Sequence, residues 1–230
     1  MSSANSEFLA GLKAGMPIAL SVAPFGLLFG ALAVDNGMSI GEAVAMSGLV
    51  FAGASQMVGL ELFGQRIAPW LIVLSIFAVN FRHVLYSAAI GRRIAHWSGA
   101  QQALAFFLLT DPQFAVAEAG ADAGRRLTPP WYFGLGAAFY FPWVAETGIG
   151  AWFGRLIENP KGLGLDFLLP IYFLGLVMGF RRRANWLPVV VASAAAAAAA
   201  VASIGSPWHV TLGAIAGVAL AAALPPARAQ

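Results

Sequence analysis

Asn80, Arg82 and His83 fall within "SIFAVNFRHVLYSAAI", residues 75–90, whose other side chains read as the inside of a membrane. A guanidinium stays charged in proteins and costs at least about 2.5–3.5 kcal/mol at the centre of a bilayer. It must therefore be paired or line a wet cavity. On a continuous helix Asn80, His83 and Ser87 share one face, whereas Arg82 and Tyr86 share roughly the opposite one. The carboxylates inside apolar stretches are Asp111, Glu118 and Glu146, and Asp111 is nearest the middle of its own. Arg82 is thus expected either to bind a carboxylate ligand directly or to form a pair with Asp111 that opens and closes. The structural alternatives are a fixed salt bridge between two helices, or snorkelling of the side chain toward a headgroup. His83 has two readings, a hydrogen bond to a neighbouring helix or proton coupling. Glu146, beside Thr147, either joins Asp111 and His83 in a proton path or lies at the membrane interface.

Backbone breaks would place such groups. Pro24, Pro112 and Pro142 fall near the middles of apolar stretches, where a proline removes a hydrogen bond and kinks the helix. Asp111–Pro112 is the most informative, because Asp is a favoured N-cap and Pro a favoured first helical residue. It reads as a new helix starting near mid-membrane, with Gln113 in its first turn and a positive dipole end. Half-helix starts of this kind receive anionic substrate groups. The alternative is a kinked helix that Asp111 caps locally. In "SGLVFAGASQMVGL", residues 47–60, small residues form a packing face, and Gln56 needs a partner because an unpaired amide in lipid costs several kcal/mol.

The elements that must hold these groups are membrane helices. The 230 residues are 60% hydrophobic and 10% charged, with a mean hydropathy of +0.77, against about 25% charged in a soluble domain. Eight apolar segments are read at about 14–34, 40–62, 68–90, 100–120, 131–153, 166–180, 186–203 and 208–224, most of them near the length a bilayer requires. The expected fold is an all-α, polytopic helix bundle, one transmembrane domain over 1–230. Two topologies stay open: eight full crossings, or segments two and four broken or re-entrant. Both put the two termini in the cytoplasm, with the triplet Arg181–Arg183 as the strongest positive-inside signal. The alanine run at 194–200 reads as helix packing. The polar start lacks the features of a signal peptide, so the first segment is expected to stay. Without cysteine there are no disulfides or thiolate metal sites. The net charge of +3 and pI near 9.7 reflect arginines in short loops, with no basic, aromatic-interleaved groove for nucleic acid.

The stretches "PFGLLFGALA" (24–33), "SGLVFAGASQ" (47–56), "NFRHVLYSAAI" (80–90), "LLTDPQFAVA" (108–117) and "LDFLLPIYFLGL" (165–176), in this order and spacing, resemble the AzlC family, the large subunit of branched-chain amino-acid exporters of the YgaZ type. The resemblance implies efflux of valine, leucine, isoleucine and sometimes methionine across a bacterial inner membrane. It also implies a small AzlD-type subunit of about four spans. Members often read Thr-Asp-Glu where this chain has Thr110–Asp111–Pro112, so no family role carries over to position 112.

An exporter of zwitterions needs donors for a carboxylate, acceptors for an ammonium and an apolar pocket. Arg82 or the start of the half-helix at 112–114 supplies the first, Asp111 with Ser55 and Gln56 the second, and Phe25, Phe51 and Phe114 the third. The expected binding or gating set is Ser55, Gln56, Asn80, Arg82, His83, Asp111 and Gln113, with Asp111, Glu146 and His83 as the proton path. No cofactor or metal is expected. The alternatives are a channel or non-transporting assembly subunit, or an intramembrane hydrolase using Ser55 and His83 as nucleophile and base.

Overall fold

The computed structural model describes residues 3–64, 68–154, 183–204 and 208–225, with Phe167, Ile171, Leu174, Gly175, Val177, Met178 and Arg181. The sixth apolar segment lies largely, and Arg182 of the arginine triplet wholly, outside the described residues. Those residues hold ten helices and no strand, as an all-helical membrane bundle requires.

Helix α1 (Ala4–Asp35) starts ten residues earlier than the apolar run, because Ser3 caps it by accepting from the Ser6 amide. Its 32 residues span about 48 Å, and it passes Pro17 and Pro24 without a break. The second segment divides into α2 (Ile40–Val50) and α3 (Gly53–Gly64). A reciprocal cap between Ser39 and Glu42 starts α2, and Phe51, in left-handed conformation (φ 32°), stops it. The third segment is also interrupted, between α4 (Pro69–Asn80) and α5 (Arg82–Ile94), with 69–77 and 82–94 inclined by 43°. The fourth divides into α6 (Gly99–Phe107) and α7 (Asp111–Asp122), with Thr110 as N-cap and Pro112 in the first turn. Helix α8 (Pro129–Gly154) runs through Pro142. A hairpin of α9 (Trp186–Ser203) and α10 (Trp208–Ala223) follows. Taken singly, α1 and α9 are long and apolar enough to cross a bilayer, and α4 with α5 makes a third such span.

The break at Phe81 corrects one expectation. Asn80 and His83 belong to differently directed helices, so the two-face argument made for one continuous helix does not hold. The other two breaks fall in segments two and four, which the second of the two topologies had as broken or re-entrant, the latter at Asp111–Pro112.

The core is the α1–α8 pair. A Cβ at Gly11 would meet the Trp131 carbonyl, one at Gly30 the Thr147 carbonyl and one at Gly150 the Leu27 carbonyl. Matching positions rise together along both helices, so α1 and α8 run parallel. First and fifth segments run parallel in both topologies allowed by the charges, so this contact does not choose between them. Lipid offers no hydrophobic drive for association, and backbones that touch are what holds such a pair. In the α9–α10 hairpin Gly213 packs on Ala197 and Ser193, and the Ser193 hydroxyl donates to the Gly213 carbonyl at 2.7 Å. The alanine run therefore does pack, through one face.

Candidate functional site

Residues at or beside all three breaks line one cavity of about 700 Å³, together with residues of α1 and α8. Its wall includes Phe51–Ala54 from the first break, Arg82, His83 and Tyr86 after the second, and Thr110–Pro112 at the third. Unwound backbone at membrane depth is tolerated where it lines such a space. In α3 the helical ladder begins with the Gln56 amide donating to the Ala52 carbonyl, which leaves the amides of Gly53 and Ala54 outside it. In α7 it begins with the Phe114 amide donating to the Thr110 carbonyl at 2.8 Å, and Thr110 makes no side-chain cap. Two positive helix ends therefore border the cavity.

Arg82 and Asp111 pair across this space, with Nη2 and Oδ2 3.0 Å apart and each side chain a little over a quarter exposed. The Tyr86 hydroxyl donates to the other carboxylate oxygen, Oδ1, at 2.9 Å, and its ring stacks on Phe114 at 4.2 Å. Both Asp111 oxygens are thus engaged. Arg82 keeps donors in reserve: its buried Nε has no hydrogen-bond partner among the described residues, and a guanidinium carries five N–H groups. Nearer the ends of α5 and α7, Arg93 donates to both oxygens of Glu118 (2.9 and 2.8 Å) and to Asp122 (3.2 Å). Glu118, a candidate partner for Arg82 by sequence, is therefore taken by Arg93.

The apolar wall is aromatic. Phe51 meets Tyr140 edge-on at 4.9 Å, and the Tyr140 hydroxyl donates to the Gly48 carbonyl, occupying one of the carbonyls freed at the end of α2. A non-glycine residue at φ 32° is strained, and this ring contact helps hold Phe51 there. Gly53 leaves room for the Trp143 indole, which a Cβ would approach to 2.9 Å.

The expected site residues divide. Arg82, His83, Asp111 and Glu146 line the cavity; Ser55, Gln56, Asn80 and Gln113 do not. The Ser55 hydroxyl donates to Asn80 Oδ1, and His83 Nδ1 lies 3.2 Å from the Asn80 carbonyl, to which it donates. Ser55 and His83 thus both bond Asn80, and Ser55 is not arranged as a nucleophile with His83 as its base. Gln113 is fully buried and donates to the Tyr132 carbonyl at 3.4 Å. Gln56 donates to Ser47 Oγ at 2.9 Å and accepts from the Trp143 indole at 3.1 Å, while Ser47 bonds Thr147 at 2.7 Å. The partner Gln56 needs is protein, joining α2, α3 and α8. Among the described residues no group of three metal-ligating side chains is assembled.

Replacing Gln56 with methionine is expected to lower stability by about 1–3 kcal/mol, by stranding the buried partners. Thermal unfolding of the detergent-solubilised protein checks it.

Tyr86 and Trp143 join the site without having been expected there. Tyr86 carried a signal, its position one turn after Arg82; Trp143 had none, since nothing local tells a packing indole from one that bonds Gln56.

The chain matches the family model described as AzlC protein over residues 17–157. It is 32% identical to the inner membrane protein YgaZ of Escherichia coli strain K12, over 82% of this chain and 79% of that one. An Archaeoglobus fulgidus membrane protein is 33% identical over 76% and 77% of the two chains. The branched-chain amino acid transport protein AzlC of Bacillus subtilis strain 168 is 23% identical over 74% and 68%. No solved structure matches the chain.

Proposed function

The chain belongs to the AzlC family, and on that premise we propose that it is an inner-membrane secondary transporter exporting branched-chain and other apolar amino acids, working with a small AzlD-type four-span subunit. The observation that carries this reading is the cavity where three helix breaks meet. It combines a guanidinium with donors to spare, two helix N-termini and an aromatic wall. Those are the requirements of a carboxylate attached to an apolar side chain. The volume lies within the roughly 300–1,000 Å³ usual for small-molecule sites. The name of the Bacillus subtilis relative supports branched-chain amino acids as the class, and that of the Escherichia coli relative supports the inner membrane.

In this reading residues 1–230 form one transmembrane domain with both termini in the cytoplasm. The substrate carboxylate meets Arg82 and the start of α7. It competes with Asp111 for the guanidinium, so that binding loosens the tie between α5 and α7 and frees them to move. Discontinuous helices moving about a central site are a recurring basis of alternating access.

The test is efflux of preloaded labelled leucine, valine and methionine from cells expressing the chain with a small AzlD-type membrane protein. Saturable efflux, accelerated when unlabelled leucine is supplied on the opposite face, is expected. Non-saturating flux without that acceleration would indicate a channel. No flux of any of the three would indicate another substrate or an assembly role.

A further inference from the structure

Glu146 is the carboxylate in the cavity wall that no described residue answers. Of the carboxylates lining the space, Asp111 is held by Arg82 and Tyr86, and Glu118 and Asp122 by Arg93. Glu146 has no hydrogen bond or ion pair among the described residues. Arg183 also lines the cavity, with no ion pair to Glu146 within 4 Å. The position of Glu146 is built. It stands on α8 one turn after Pro142, its side chain laid against Gly26 of α1, where a Cβ would come within 2.6 Å of Oε2 and 2.8 Å of the Glu146 Cβ. The glycine makes room for the carboxylate at the inner surface.

A half-buried carboxylate without a partner is costly in a low-dielectric setting, and one retained in a membrane cavity calls for a cation. We propose that Glu146, rather than Asp111, receives the ammonium group of the transported amino acid. This rests on the exporter reading above. The cavity then has two poles, Arg82 for the carboxylate and Glu146 for the ammonium, with the aromatic wall left for the side chain. The arrangement selects whole amino acids over compounds that carry only one of the two charges. A proton bound at Glu146 would satisfy the carboxylate too, but it would account for neither the opposite charge in the same cavity nor the apolar wall beside it.

The experiment compares wild type, Glu146→Gln and Glu146→Asp at equal membrane abundance, in efflux and in leucine–leucine exchange. Leucine, 3-methylbutylamine (without the carboxylate) and 4-methylpentanoate (without the ammonium) serve as competitors. Glu146→Gln is expected to weaken competition by leucine and by the amine at least about tenfold, leaving competition by the acid within about twofold. Glu146→Asp is expected to restore part of the loss. Unchanged leucine affinity in Glu146→Gln overturns the proposal. So does a variant that keeps exchange and affinity but loses net efflux, because that pattern belongs to a proton carrier. Absence of export by wild type overturns the exporter reading itself, and is told apart because it needs no variant to be seen.

Discussion

On the exporter reading proposed above, export of preloaded leucine is expected to fall by on the order of 10²-fold when Arg82 is replaced by alanine, since truncating one partner of a close, partly buried charge pair costs about 2–5 kcal/mol. The truncation leaves Asp111 with only the Tyr86 hydroxyl and removes the carboxylate pole of the cavity. Those two effects are separable. In the double variant Arg82→Ala with Asp111→Ala, neither charge is stranded, so stability should return toward that of wild type. Export should not return, because the substrate carboxylate still lacks its guanidinium. Recovery of export by the double variant would reduce the pair to a structural tie between α5 and α7. Arg82→Lys is expected to be intermediate, because an ammonium keeps the charge but loses the planar fork that can hold Asp111 and a ligand together. Efflux at matched membrane abundance, with thermal unfolding in detergent, distinguishes these outcomes.

The second large effect concerns the scaffold. Gly30→Leu is expected to cost about 3 kcal/mol or more and to remove most folded protein from the membrane. At this position even the first side-chain carbon would fall on the Thr147 carbonyl and the Ala151 amide. Backbone cannot rotate aside as a flexible side chain can, so the α1–α8 pair would have to separate. Against a total stability of about 5–15 kcal/mol, that is a large share. Gly150→Leu should behave alike, because its neighbour is the Leu27 backbone on the opposite helix. Gly99→Leu is the control: it opens α6 with nothing within 4 Å of an added Cβ, and it should leave abundance and melting temperature nearly unchanged. Equal losses at positions 30 and 99 would show that the close helix approach is not what limits folding.

Arg82, Asp111 and Glu146, which line the cavity, were legible as candidates in the amino-acid sequence, because a charge inside an apolar run conflicts with its surroundings and so marks itself. The Asp111–Pro112 break was legible for a local reason, since proline chemistry acts within one turn, but the expected cap was not: Thr110 stands at the N-cap and the Asp111 carboxylate is taken by Arg82 and Tyr86. Gln56 shows the limit of that reasoning. Its need for a partner was plain from its type, yet whether Ser47 and Trp143 or a ligand met that need depended on which helix lay opposite. The break at Phe81 was invisible because no proline or glycine marks it. Among the glycines, Gly-x-x-x-Gly spacing recurs too often to single out Gly30 and Gly150, whose importance comes from a helix far away in the chain.

The sequence by itself determined that this is an all-helical membrane protein with charged groups inside apolar runs, because hydropathy and charge cost act locally and do not depend on partners, and the order and spacing of its motif stretches matched it to the AzlC family. Only the tertiary structure decided that Arg82 pairs with Asp111, that Gln56 and Ser55 face protein, and that Glu146 stands in the cavity without a partner among the described residues. Those outcomes depend on which faces of separate helices meet, and that is set by the close approach of α1 to α8 and the bends that gather three helix breaks at one place.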